Sequence, residues 1–167
     1  MKRHPLHNIG FWSVVMLSGL IVLAPRTHAE GEQRCTFVTL LTGQITAARD
    51  EDARGDLAED LAEYLRLNPD CGRSELIVHA IAALLRDPND SVRWGAAEAL
   101  AHIGPPAKSA VPALEQALRE SDAKLNASSD TMLPTVYSGQ AIRDALRKIT
   151  GRRIPDYGHE SSMPEAH

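Results

Sequence analysis

The chain repeats its own apolar pattern, and that repetition limits the fold more than any other feature of its 167 residues. Val78, Ile81 and Leu85-Arg86-Asp87 return 33 residues later as Val111, Leu114 and Leu118-Arg119-Glu120. Ala99-Leu100 and Ile103 return 46 residues later as Ala145-Leu146 and Ile149. Arg54, Ala58-Glu59, Leu61 and Tyr64 match Arg93, Ala97-Glu98, Leu100 and Ile103 at an offset of 39. Each unit holds two helical stretches, and one such hairpin cannot bury its apolar face alone. Neighbouring units must therefore stack, and about three is the minimum for stability. The expected fold is all-α: a short α-solenoid of about three helical hairpins.

Six helical segments carry the pattern, at about 36–49, 52–68, 74–86, 91–103, 109–119 and 136–150. Leu57, Leu61, Tyr64 and Leu65 stand at helical spacing in the second, and Ile77, Val78, Ile81, Leu84 and Leu85 in the third. Asn68-Pro69 and Gly104-Pro105-Pro106 are stops, Ser74 is a candidate N-cap, and Pro112 falls in a first turn where its missing N–H costs nothing. Aromatics are only 4% of the chain, while Ala and Leu recur, a balance suited to close helix–helix packing rather than to a sheet. The two offsets of 33 and 46 imply about 13 extra residues before the last helix. This insertion, 120–135, contains Asn126-Ala127-Ser128-Ser129-Asp130, which is turn-forming and is expected not to extend a helix. Met132 and Leu133 are apolar residues on it, and they either tuck against the last hairpin or stay available to a partner. Residues 152–167 lack any period and are expected to form a flexible tail.

Residues 1–29 read as a signal peptide. Lys2 and Arg3 open it, an uncharged run covers 9–24, Pro25 breaks that run, and Thr27-His28-Ala29 fits a cleavage site. The run is short for a membrane span, so no stable span is expected after cleavage, an uncleaved anchor being the alternative. The expected location is periplasmic or secreted. Removing 1–29 leaves 15 bases against 22 acids, a net charge of −7, which disfavours a nucleic-acid partner. In an oxidising compartment Cys35 and Cys71 are expected to pair, with two free thiols as the alternative. No second Cys or His lies at ligand spacing from either, so no metal site is expected.

The stretch Leu84-Leu85-Arg86-Asp87-Pro88-Asn89-Asp90-Ser91-Val92-Arg93, followed by Ala96-Ala97-Glu98-Ala99-Leu100 and Ile103-Gly104, resembles a HEAT repeat of the phycobilisome-lyase-like type. The resemblance covers roughly 37–151, with a degenerate first repeat and an insertion in the third. Asp87 and Asp90 can cap the second helix of the hairpin, and Arg93 can reach back to an acid or to turn carbonyls, so the role expected of all three is structural. The resemblance implies a helical repeat domain over about 30–151 in which the second helices line a concave, partner-binding side. That side would carry Gly55, Glu59 and Glu63, then Trp94, Glu98, Ala101 and His102, then Gln140, Arg143, Asp144 and Arg147.

The candidate partner-binding residues are therefore Trp94, Glu98, His102, Gln140, Arg143, Arg147, Met132 and Leu133. Trp94 is either an anchor for a partner or a cover over the seam between hairpins. Acids crowd the first hairpin, from Asp50 to Glu63, and Arg143, Arg147, Lys148, Arg152 and Arg153 crowd the last. Bases at a helix C-terminus complement its dipole, and the same segregation can steer a charged partner. No catalytic residue, cofactor or metal is expected: His79, His102, His159 and His167 are scattered, and there is no phosphate loop or nucleophile elbow. The single His159-Glu160 pair is too little for a HEAT-like di-iron site. The expected function is that of an exported protein-interaction module, using its concave face or the 120–135 loop. A small-ligand-binding or accessory subunit of a periplasmic enzyme is the alternative. An open groove favours the first, a closed apolar cavity beside His102 the second.

Overall fold

The structure, a computed structural model, describes residues 28–127 and 135–156. Its helices are α1 (His28–Ala47), α2 (Glu51–Leu67), α3 (Glu75–Leu84), α4 (Asp90–Ile103), α5 (Val111–Ala127) and α6 (Thr135–Thr150). Two 3₁₀ turns, Pro69–Arg73 and Pro105–Ala110, join the hairpins, and the described residues contain no strand. Residues 1–27, 128–134 and 157–167 fall outside the description, and with them most of the expected signal peptide, Met132, Leu133 and the end of the tail.

Helix ends follow the turn chemistry. The Asp50 carboxylate accepts from the Ala53 N–H at 2.8 Å, capping α2. Gly104 (φ 69°) follows α4 and Gly151 (φ 68°) follows α6, the left-handed positions that glycine takes without a Cβ clash. Two expected caps differ. Ser74 stands at the start of α3 but makes no capping bond with its side chain. α4 is capped by Asn89, which accepts from the Ser91 N–H at 2.8 Å, rather than by Asp87 or Asp90.

Those two acids are used between hairpins instead. Asp87 accepts from the Asn89 N–H at 2.9 Å and pairs with Arg54 of α2. Asp90 pairs with Arg93 and accepts from the Ser138 hydroxyl of α6 at 2.6 Å. Arg93 itself donates to the Asp87 and Pro88 carbonyls at 2.7 and 2.8 Å, closing the α3–α4 turn. The Asp87-Pro88-Asn89-Asp90 turn thus binds the middle hairpin to both of its neighbours, since charged hydrogen bonds are the strong ones.

The helices pack in two layers. α2 lies on α4 and α4 on α6, while α1, α3 and α5 each pack on the second helix of their own hairpin. Leu61, Leu65, Ile81, Leu85, Leu100, Leu114, Ile142, Leu146 and Ile149 are fully buried between the layers. Each such side chain contributes about 1.5–3 kcal/mol by leaving water. The bond between Cys35 and Cys71, with Cα atoms 5.1 Å apart, ties α1 to the turn after α2.

Two expectations about the last hairpin change. α5 does not stop near 119 but continues to Ala127, because Leu114, Ala117, Ser121 and Leu125 extend one buried stripe at helical spacing. The local turn propensity of Asn126-Ala127 loses to that burial. Replacing 122–130 by a short Gly-Ser turn should therefore destabilise the protein. Leu125→Ala alone should cost about 2 kcal/mol in chemical denaturation, and the replacement of 122–130 removes the Asp122–Arg143 pair in addition. A replacement that leaves stability unchanged would show that these two turns of α5 are passive. Within the stretch expected to form the tail, residues 154–156 are held along α6 by Gln140, Arg143 and Arg147.

Candidate functional site

On α2 the apolar positions Ala58, Leu61 and Leu65 turn into the core, so Glu59 and Glu63, four residues apart, form a stripe on the open side. On α4 the core takes Val92, Ala96, Leu100 and Ile103, which leaves Trp94, Glu98 and His102 on the outer stripe at the same spacing. The two stripes face each other across an open groove of about 330 Å³, lined by Glu59, Asp60, Ala62, Glu63, Trp94, Glu98 and His102. Trp94 is partly buried against the core and also lines the groove. The cavity beside His102 is open and walled by carboxylates rather than closed and apolar.

The charges in and around the groove are unevenly satisfied. Arg66 forks onto Glu63, its Nε and Nη2 at 2.7 and 2.6 Å from the two carboxylate oxygens. That hydrogen bond, more than any other cause, holds the Glu63 carboxyl below its ordinary value. His102 Nε2 stands 3.8 Å from Glu98 Oε2. Burial pushes the His102 pKa down, with help from the positive charges of Lys148 and Arg66 and against the pull of Glu98 and Glu63. The neutral imidazole is therefore favoured. Glu59 and Asp60 are exposed and have no ion pair among the described residues.

The structure thus brings Trp94, Glu98 and His102 together with Glu59 and Glu63, but not with the rest of the expected face. Gly55 lies in the α2–α4 seam, where a Cβ would meet Ser91 Cβ at 3.1 Å, and Ala101 is buried. Arg143 is 6% exposed. It donates from Nη2 to both Asp122 oxygens at 2.7 and 2.9 Å, and to the Gly139 and Pro155 carbonyls. Arg147 donates to the Ile154 carbonyl and pairs with Asp144 and Asp156, the bond to Asp156 chiefly raising its pKa. Gln140 donates to Asp156 at 3.1 Å. Along α6, then, the residues expected to meet a partner hold the chain's own segment 154–156. Met132 and Leu133 lie outside the described residues.

Asp60 and Ala62 are the groove residues that the repeat pattern did not place, and Asp60 is the charged one. Its signal was available: it is adjacent to Glu59 and three residues before Glu63, on the same side of α2. Among the described residues no helix is long and apolar enough to cross a membrane. A family model described as HEAT repeats matches residues 38–129, more than half of the chain. No curated protein and no solved structure gives a significant match.

Proposed function

We propose a scaffold role for this protein on one premise: the chain belongs to the HEAT-repeat family, whose members commonly serve as protein-interaction scaffolds. In this reading it is an exported, non-catalytic module that takes a protein partner on the side formed by α2 and α4. The observation that carries the proposal is the open groove in which Trp94, Glu98 and His102 of α4 face the acidic stripe of α2. A half-buried Trp in a concave surface is a common interaction anchor. The openness of the groove and its carboxylate walls suit an extended segment of another protein better than a small apolar ligand, which calls for an enclosed apolar cavity. Export is supported by the leader-like residues 1–29 and by the pairing of Cys35 with Cys71, which fits an oxidising compartment.

The test is partner capture from the exported fraction with the full chain. Trp94→Ala should reduce capture about tenfold or more, in line with the 2 kcal/mol typical of an aromatic anchor. Leu76→Ala, on the far side of the fold and 82% exposed, should leave capture unchanged. Equal capture by the Trp94 variant, or loss with Leu76→Ala, would place the interaction elsewhere. Intact mass of the secreted form decides the export part: retention of residues 1–29 contradicts it.

A further inference from the structure

We propose that the occupant of the α2–α4 groove is a cationic segment of the partner, with a Lys or Arg side chain seated on Trp94 between the Glu59–Asp60 edge and Glu98. This rests on the scaffold reading and adds the chemistry of the partner to it. Among the described residues four acids line the groove, Glu59, Asp60, Glu63 and Glu98, and no Lys or Arg does. Burial disfavours a positive charge on His102. Two cations act on the His102 end of the groove: Arg66, which is paired with Glu63, and Lys148 of α6, while Arg54 and Arg93 are held by Asp87 and Asp90. The edge formed by Glu59 and Asp60, which have no ion pair among the described residues, is therefore a negative rim beside Trp94.

A carboxylate pair alone would attract any cation and hold none in place. The indole face changes that, because a Lys or Arg head placed over it gains a directional attraction to the ring, and its aliphatic stem covers apolar surface. Concave walls of one charge sign also focus the field, which raises the encounter rate with a basic segment. An acidic or neutral segment would instead have to desolvate the Glu59 and Asp60 carboxylates without compensation. The net charge of −7 outside residues 1–29 acts in the same direction at long range.

The test uses the full-length chain and fluorescein-labelled hexalysine, hexaarginine, hexaglutamate and a Gly-Ser hexapeptide, read by fluorescence anisotropy. The two cationic probes should bind and weaken as salt rises, while the other two should not bind. The double variant Glu59→Gln/Asp60→Asn should weaken hexalysine binding about tenfold, and Trp94→Leu, which keeps apolar cover but removes the ring, about fivefold. The double variant Asp70→Asn/Glu115→Gln makes the same change in net charge away from the groove and should shift binding less than about twofold. Far-ultraviolet circular dichroism checks that each variant is folded. Equal loss with the two double variants, no loss with Trp94→Leu, or binding of hexaglutamate would overturn the proposal. A partner that needs Trp94 yet binds through an acidic or neutral segment would overturn it too, while leaving the scaffold reading intact.

Discussion

Replacing both Cys35 and Cys71 by Ala is expected to lower the melting temperature by about 10–15 °C, the largest effect of any change considered. The bridge closes a loop with a sequence separation of 36, for which chain entropy predicts about 3–4 kcal/mol. Its position makes that contribution hard to replace. α1 is the outer helix of the first hairpin, and it is held by Val38, Leu41 and Ile45, by the Tyr64 hydroxyl donating to the Arg34 carbonyl at 2.8 Å, and by Phe37 against Tyr64. Phe37 and Leu40 remain 42% and 54% exposed, so much of the apolar surface of α1 is not buried. Without the bridge the unfolded chain gains freedom and α1 is the first element to fray. Chemical denaturation of the double variant measures the effect. A loss below about 1 kcal/mol would show that α1 needs no covalent tie.

Gly95→Ala should destabilise the protein by about 1–3 kcal/mol, against the roughly 1 kcal/mol gain that the same change gives in an unobstructed helix. A Cβ at Gly95 would lie 2.5 Å from the Ala58 carbonyl oxygen and 2.7 Å from its carbon. Both are backbone atoms of α2, so no rotamer change relieves the clash and α2 must move away from α4. Because that movement opens the seam beneath the groove, the effect reaches the candidate site as well as the core. Gly43, on the exposed side of α1, has nothing within 4 Å of its virtual Cβ, and Gly43→Ala should be neutral or stabilising by up to about 1 kcal/mol. Opposite signs for two glycines in helices of one chain are the signature of the close α2–α4 approach. Stabilisation by both substitutions in thermal denaturation would deny it.

The hairpin stack was legible from the sequence because each unit shares one apolar pattern, and Leu61, Leu100 and Leu146 do occupy equivalent buried positions. The match of Cys35 to Cys71 was legible from their number and the expected compartment. What spacing did not reveal came from tertiary contacts overriding local preference. Asn126-Ala127 reads as a turn, yet Leu125 has a buried place against the last hairpin and the helix continues to reach it. Arg143 reads as a surface base at a helix end, yet Asp122 on that extension meets it and both are drawn inward. Residues 152–156 have no apolar period, so nothing local indicated that α6 would hold their carbonyls. The groove was half legible: the stripe of Trp94, Glu98 and His102 follows from helical spacing, but the pairing of α2 with α4 decides that the opposite wall is Glu59, Asp60 and Glu63.

Site-specific photo-crosslinking puts the functional reading to its most direct test. A photoreactive residue is placed in the full-length chain at Glu59 or Glu98 in the groove, and at Leu76 or Arg119 on exposed positions of α3 and α5. If α2 and α4 form the partner-binding side, irradiation in the exporting cells gives a discrete adduct from Glu59 and Glu98 and none from Leu76 and Arg119. The same adduct from all four positions, or from α3 and α5 alone, would contradict it.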